Sequence, residues 1–150
     1  MPRRELKSPR QVEDWLQELG KQITLPGEMI LIGSGGLLWH AFQAGKMEDL
    51  PENSMDVDPL TDSDELARIF YDSIIGSEFE QKHGWHVNLM PNSVLREFPA
   101  DWKSRAATKR YGNLAVLIPS PEDLLKPKRK RNEPRDQAHE VWARKIKLIS

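Results

Sequence analysis

The sequence contains no cysteine. That single absence removes disulfides, thiolate metal sites and cysteine nucleophiles, and it fits a cytoplasmic protein, which is the expectation. No apolar run approaches the roughly 20 residues a membrane-spanning helix needs. The first residues, Met1-Pro2-Arg3-Arg4-Glu5-Leu6-Lys7, are basic but lead into no apolar stretch of the kind a secretion signal carries. Repeats and low-complexity tracts are absent too. What remains is 150 residues, 38% hydrophobic and 30% charged, enough for one domain with a real core. The expected organisation is a single domain over residues 1–150. An N-terminal helix and turn occupy 1–27, a sheet core 28–118 and C-terminal helices 119–150.

The net charge of −1 hides a polarity along the chain. Residues 101–150 carry 13 Lys/Arg against 6 Asp/Glu, whereas residues 1–100 carry 9 against 17. A basic half of this kind suits a polyanion or a triphosphate, or simply the attraction of one half for the other.

Element signals are frequent. Ser8 caps a first helix with Pro9 in its first turn and Val12, Trp15, Leu16 and Leu19 on one stripe; Gly20 is expected to end it. Glu28–Ile32 reads as a short central strand, apolar on both faces. A helix runs from Leu37 to Ala44, and Lys46–Asn53 is a loop. Ser54–Leu60 is a second strand, with Met55 and Val57 on one face and Asp56 and Asp58 on the other. Thr61 to Asp64 starts a third helix that reaches Ile74 and Ile75. Strands are expected at Ser77–Lys82, Trp85–Met90 and Asn113–Ile118, with a turn or short helix at Val94–Phe98. Pro119 to Asp123 opens a helix, and a last helix runs from Arg135 to Leu148, with Ala138, Val141, Trp142, the stem of Lys145 and Ile149 as its apolar positions. Strands and helices mix without strict alternation, which implies an α+β mixed sheet flanked by helices, with the C-terminal helices packed alongside.

The chemistry gathers between Ile32 and Leu60. Met29-Ile30-Leu31-Ile32 runs into Gly33-Ser34-Gly35-Gly36 and then into a helix. A strand that ends in such a turn and opens a helix offers bare backbone N–H groups to an anion. Asp56 and Asp58, at i and i+2 on a strand, share a face and can grip one divalent cation. Taken singly, the first motif is also an ordinary strand–helix turn and the second a solvated strand face. The turn is not a P-loop, since no Gly-Lys-Ser/Thr follows, nor a dinucleotide fingerprint, since Leu38 stands at the third glycine position. His40 reads as a packed helix residue, His83 and His86 lack a third metal ligand, and Lys126–Arg131 reads as a solvated helix face.

This order, a strand, a Gly-Ser turn, a helix and then Asp-x-Asp on the next strand, resembles the nucleotidyltransferase superfamily with the polymerase-beta-type fold. The long gap between Ser34 and Asp56 is similar to the AbiEii-like branch, which holds toxins and bacterial domains. Pro121-Glu122-Asp123-Leu124-Leu125 followed by Lys128, Arg131 and Arg135-Asp136 resembles that branch as well, and the likeness extends from about Ile30 to Trp142. It implies that Gly33, Ser34, Gly35 and Gly36 hold the phosphates of a nucleoside triphosphate, with Lys128, Arg131 and Arg135 offsetting its charge. It implies that Asp56 and Asp58 are catalytic and bind Mg²⁺, with Mn²⁺ the alternative ion. The acceptor it implies is RNA or a protein, and a partner protein is expected if the chain is half of a toxin–antitoxin pair. Active members use a third carboxylate on a later strand, where this chain has Asn88; an amide coordinates metal but cannot act as a general base. Glu78, Glu80 and His86 are the nearby groups able to replace it. The alternatives are a catalytically degenerate interaction protein of the antitoxin type, and a basic nucleic-acid-binding module over residues 101–150.

Overall fold

The computed structural model describes residues 5–51 and 56–150. Ser54 and Met55, the expected start of the second strand, lie outside the described residues.

Local chemistry accounts for the first helix, α1 (Pro9–Gln22). The Ser8 hydroxyl accepts from the Arg10 backbone N–H, and the Gln11 side chain reaches back to the Ser8 N–H at 2.8 Å, a reciprocal cap. The helix does not stop at Gly20 but runs two residues further. That glycine serves contact rather than termination: a Cβ there would lie 2.2 Å from the Tyr111 carbonyl oxygen.

Strand β1 (Gly27–Ile32) leads directly into α2 (Gly33–Gln43), so the helix begins within the glycines instead of after them. Strand β2 (Asp56–Leu60), α3 (Asp64–Tyr71), α4 (Glu78–His83) and β3 (His86–Val87) follow. Two 3-10 turns, Asn92–Glu97 and Trp102–Arg105, precede β4 (Ala107–Tyr111) and β5 (Leu114–Ile118). Helices α5 (Pro121–Arg131) and α6 (Pro134–Lys145) close the chain.

The strands form one mixed sheet in the order β3-β2-β1-β5-β4. Strand β1 is central, antiparallel to β2 and parallel to β5. The α+β reading therefore stands. Leu31, Val57, Val116 and Ile118 face the helices, where Leu16, Leu37, Leu38 and Trp39 complete a buried core. A polar network stitches its edge. Buried Tyr111 donates to Glu13 at 2.6 Å and accepts from the Trp39 indole at 2.9 Å, so β4, α1 and α2 share a satisfied buried bond set. No helix among the described residues is long and apolar enough to cross a membrane.

Several local expectations change. Residues 78–83 are helical, not extended: Ser77 caps the segment by accepting from the Glu80 N–H, and Gly84 ends it in the left-handed conformation. Helix α3 ends at Tyr71, which leaves Ile74 and Ile75 exposed. The strand around Trp85 shrinks to His86–Val87, although the Asn88 and Met90 N–H groups still bond Val57 and Pro59. Strand β4 was not expected, because Lys109 and Arg110 mask its alternation; both suit an edge strand. On α6, Val141 faces outward, and the buried stripe is Asp136, His139, Trp142 and Ala143.

Candidate functional site

The glycine turn lies at the C-terminal end of the central strand. Gly33 has φ of +69°, a conformation open to glycine without steric cost. Ile32 pairs with Asp58 across the β1–β2 ladder, which sets the second acid of the motif beside the turn. A Cβ on Gly33 would lie 2.6 Å from Asp58 Oδ2, so glycine keeps the space against that carboxylate open. Gly35 and Gly36 pack closely on Val57 and Leu124, which brings α2 down onto β2 and α5. Among the described residues, no side chain caps the start of α2.

Asp56 and Asp58 share one sheet face, while Val57 between them is fully buried in the core. Burial and, next, the neighbouring Asp56 carboxylate raise the Asp58 carboxyl to about 7. The Asn88 amide donates to Asp58 Oδ1 at 3.4 Å, so an amide does stand beside the acid pair. Glu80 and His86 pair with each other at 2.7 Å on α4 and β3. Glu78 is exposed.

Helix α5 brings the cation. Lys128, only 5% exposed, donates to the Ser34 hydroxyl at 3.1 Å and to His139 Nδ1 at 3.0 Å. Burial lowers its ammonium to about 8, against the opposing pull of Asp136, whose carboxylate is 3.8 Å away. Asp136 itself is held at about 2, chiefly by the Arg131 guanidinium, which grips it through two hydrogen bonds of 2.8 and 2.5 Å. Of the expected phosphate-binding residues, then, Gly33, Ser34, Gly35, Gly36 and Lys128 come together with Asp58. Arg131 is committed to Asp136, and Arg135 is exposed on the first turn of α6. The basic run that ends α5 is largely neutralised, since Arg129 pairs with Glu122 and Glu140. His40 is packed, with Nε2 2.7 Å from the Pro119 carbonyl oxygen.

His139 was missed by the sequence reading. It is fully buried and 3.4 Å from Ser34 Oγ as well as bonded to Lys128. Its place three residues after Asp136 puts both on one helix face, and that spacing beside a basic helix was the available clue.

The donor set suits a hard cation. Asp56 and Asp58 offer carboxylate oxygens on one face, and Mg²⁺ is commonly held by one or two carboxylates with the rest of its shell from phosphate and water. No group of three or more His, Asp or Glu able to hold a metal occurs among the described residues. A metal at this turn would therefore need oxygens from a ligand.

The Asp136–Arg131 pair gives a test of local energetics. A carboxyl held at about 2 in the fold and near 3.8 unfolded contributes stability that is complete above pH 4 and lost as pH falls towards 2. The contribution is about 2 kcal/mol. Urea unfolding of the wild type and of Asp136→Asn is expected to show a gap at pH 7 that closes between pH 4 and pH 2. A gap independent of pH would contradict the assignment.

A mixed sheet whose central strand turns through glycine into a helix, with acids on the adjoining strand, defines a domain of the nucleotidyltransferase class. Within that class the chain belongs to the family described as "Nucleotidyltransferase of unknown function (DUF6036)", whose model matches residues 10–146. No curated protein and no solved structure gives a significant match.

Proposed function

We propose that the protein binds a magnesium–nucleoside triphosphate at the Gly33 turn and transfers the nucleotidyl group to a hydroxyl of RNA or of a protein, the acceptor oxygen bonding the α-phosphorus as the α–β phosphoanhydride bond breaks and pyrophosphate leaves, with the hydroxyl proton passing to solvent. The observation that carries this reading is the meeting of opposite charges on one turn: the Asp58 carboxylate lies against Gly33, and Lys128 is bonded to the adjacent Ser34.

The N–H groups at the start of α2, which no described side chain caps, would face the phosphates, as helix N-termini do for anions. Ser34 and Lys128 would add a hydroxyl and an ammonium to the same cradle, and Arg135 a more distant positive charge. Asp56 and Asp58 would hold Mg²⁺, which when bound supplies positive charge to the transferring phosphoryl group. Relief of the repulsion between the two acids favours a cation there.

Titration of Mg-ATP, Mg-CTP, Mg-GTP and Mg-UTP into the wild type and into the Asp56→Ala/Asp58→Ala double variant tests the reading. At least one nucleotide is expected to bind the wild type, with binding reduced at least tenfold in the variant. Equal binding by both proteins would rule out the acid pair as the metal site.

A second reading rests on Asn88. If the amide beside Asp58 marks a degenerate site, the protein retains nucleotide binding and acts through a partner protein, as in a toxin–antitoxin pair. Transfer of labelled nucleotide to RNA or protein, abolished by Asp58→Asn, favours the enzyme. Nucleotide binding without transfer favours the interaction protein.

A further inference from the structure

The buried polar cluster behind Ser34 contains a group that the proposed phosphate cradle does not use. His139 is fully buried on α6, and Nδ1 lies 3.0 Å from Lys128 Nζ and 3.4 Å from Ser34 Oγ. Lysine has only donors, so the short contact requires Nδ1 to be an acceptor, and a neutral ring then carries its proton on Nε2. The ammonium thus meets three groups at once: Ser34 at 3.1 Å, His139 at 3.0 Å and the Asp136 carboxylate at 3.8 Å.

We infer that His139 is a positioning residue for triphosphate recognition: it orients the Lys128 ammonium onto Ser34, at the edge of the glycine turn. This deepens the nucleotide-binding reading and rests on it. The physical need is specific. A lysine side chain has four rotatable bonds, and Lys128 leaves α5 beside Pro127, within a helix rich in other cations. Arg131 and Arg135 repel its charge, and Asp136, already gripped by Arg131, lies too far for a short hydrogen bond. Asp136 and Asp58 attract the ammonium only at longer range, so among the described residues Ser34 and His139 are the groups that fix it by short hydrogen bonds. A neutral imidazole directs the lysine without cancelling its charge, which a polyphosphate needs intact. The ligand class is the polyphosphate tail, so the effect is expected to be the same whichever base the nucleotide carries.

Asparagine places a side-chain acceptor close to the position of Nδ1, whereas glutamine places one near Nε2. Calorimetric binding of Mg-ATP and of inorganic tripolyphosphate is therefore compared for the wild type, His139→Ala, His139→Asn and His139→Gln. The alanine and glutamine variants are expected to bind both ligands about tenfold more weakly, the scale of one hydrogen bond to a charged group, and the asparagine variant to recover most of the loss. In a Lys128→Ala background, His139→Ala is expected to cause no further loss. Nitrogen-detected spectra of the ligand-free wild type, which needs no substitution in the core, are expected to show His139 unprotonated at Nδ1. A protonated Nδ1, or wild-type affinity in a folded His139→Ala variant, or an equal loss with and without Lys128, overturns the positioning role while leaving nucleotide binding in place. A wild type that binds neither ligand overturns both.

Discussion

Gly20→Ala is expected to destabilise the protein by about 3 kcal/mol, at the upper end of the cost of forcing an extra carbon into a packed site. An alanine Cβ would meet the Tyr111 carbonyl oxygen at 2.2 Å, its carbon at 2.7 Å and the Tyr111 Cβ at 2.8 Å. These are backbone or backbone-anchored atoms, so no side-chain rotation relieves the clash. The partner side is equally tight: a Cβ on Gly112 would lie 2.9 Å from the Gly20 carbonyl oxygen, and Gly112 has φ of +59°. Helix α1 and the β4–β5 turn therefore touch through two glycines, and separating them also strains the Glu13–Tyr111–Trp39 bonds. Gly45→Ala is the control, since Gly45 also has positive φ, +74°, but no atom lies within 4 Å of a Cβ there. Its cost is limited to backbone strain of about 1 kcal/mol. Urea midpoints measured side by side decide the matter; equal losses for the two variants would contradict the contact.

Asp58→Asn is expected to move stability and ligand response in opposite directions. Asp58 titrates at about 7 in the fold, against 3.8 in the unfolded chain. Between those values the unfolded state releases its proton first, so native stability falls as pH rises from about 4 to about 7 and the penalty is complete above 7. The full shift corresponds to about 4 kcal/mol, and solvent screening of a half-buried carboxylate reduces it to about 2 kcal/mol. Asparagine removes the penalty while keeping an oxygen for the Asn88 amide to reach. At pH 8 the metal-free variant is therefore expected to be more stable than the wild type by about 2 kcal/mol, with no difference at pH 4. Mg-ATP is expected to raise the melting temperature of the wild type and to leave the variant nearly unchanged. A variant less stable than the wild type at pH 8 would show that the acids are not in conflict.

The acid pair and glycine turn could be read from the sequence because each is a local pattern with a fixed geometric consequence. A period of two puts Asp56 and Asp58 on one face, and β1 was recognisable from its unbroken apolar run. Gly20 departs from expectation for a related reason: glycine is equally at home at a helix end and at a close approach, and the distant Tyr111 distinguishes them. Gly76 and Gly84 bracket residues 77–82 as they would a strand, but the Ser77 cap and the early acids Glu78 and Glu80 make the segment a helix. His139 escaped notice because its meaning comes from Lys128 and Ser34, 11 and 105 positions away. The Arg131–Asp136 grip, too, emerges only when α5 and α6 fold against each other, and it gives a partner within the chain to a cation expected to face the ligand.

The pairing of Ile32 with Asp58 ties assembly of the site to assembly of the interior. Val57 is wholly enclosed between two acids. Sliding β2 by one residue would drive both carboxylates into oil and expel the valine, a mistake that carries its own heavy penalty. The register that closes the core is thus the same one that turns Asp56 and Asp58 to the opposite face, so neither arrangement forms without the other.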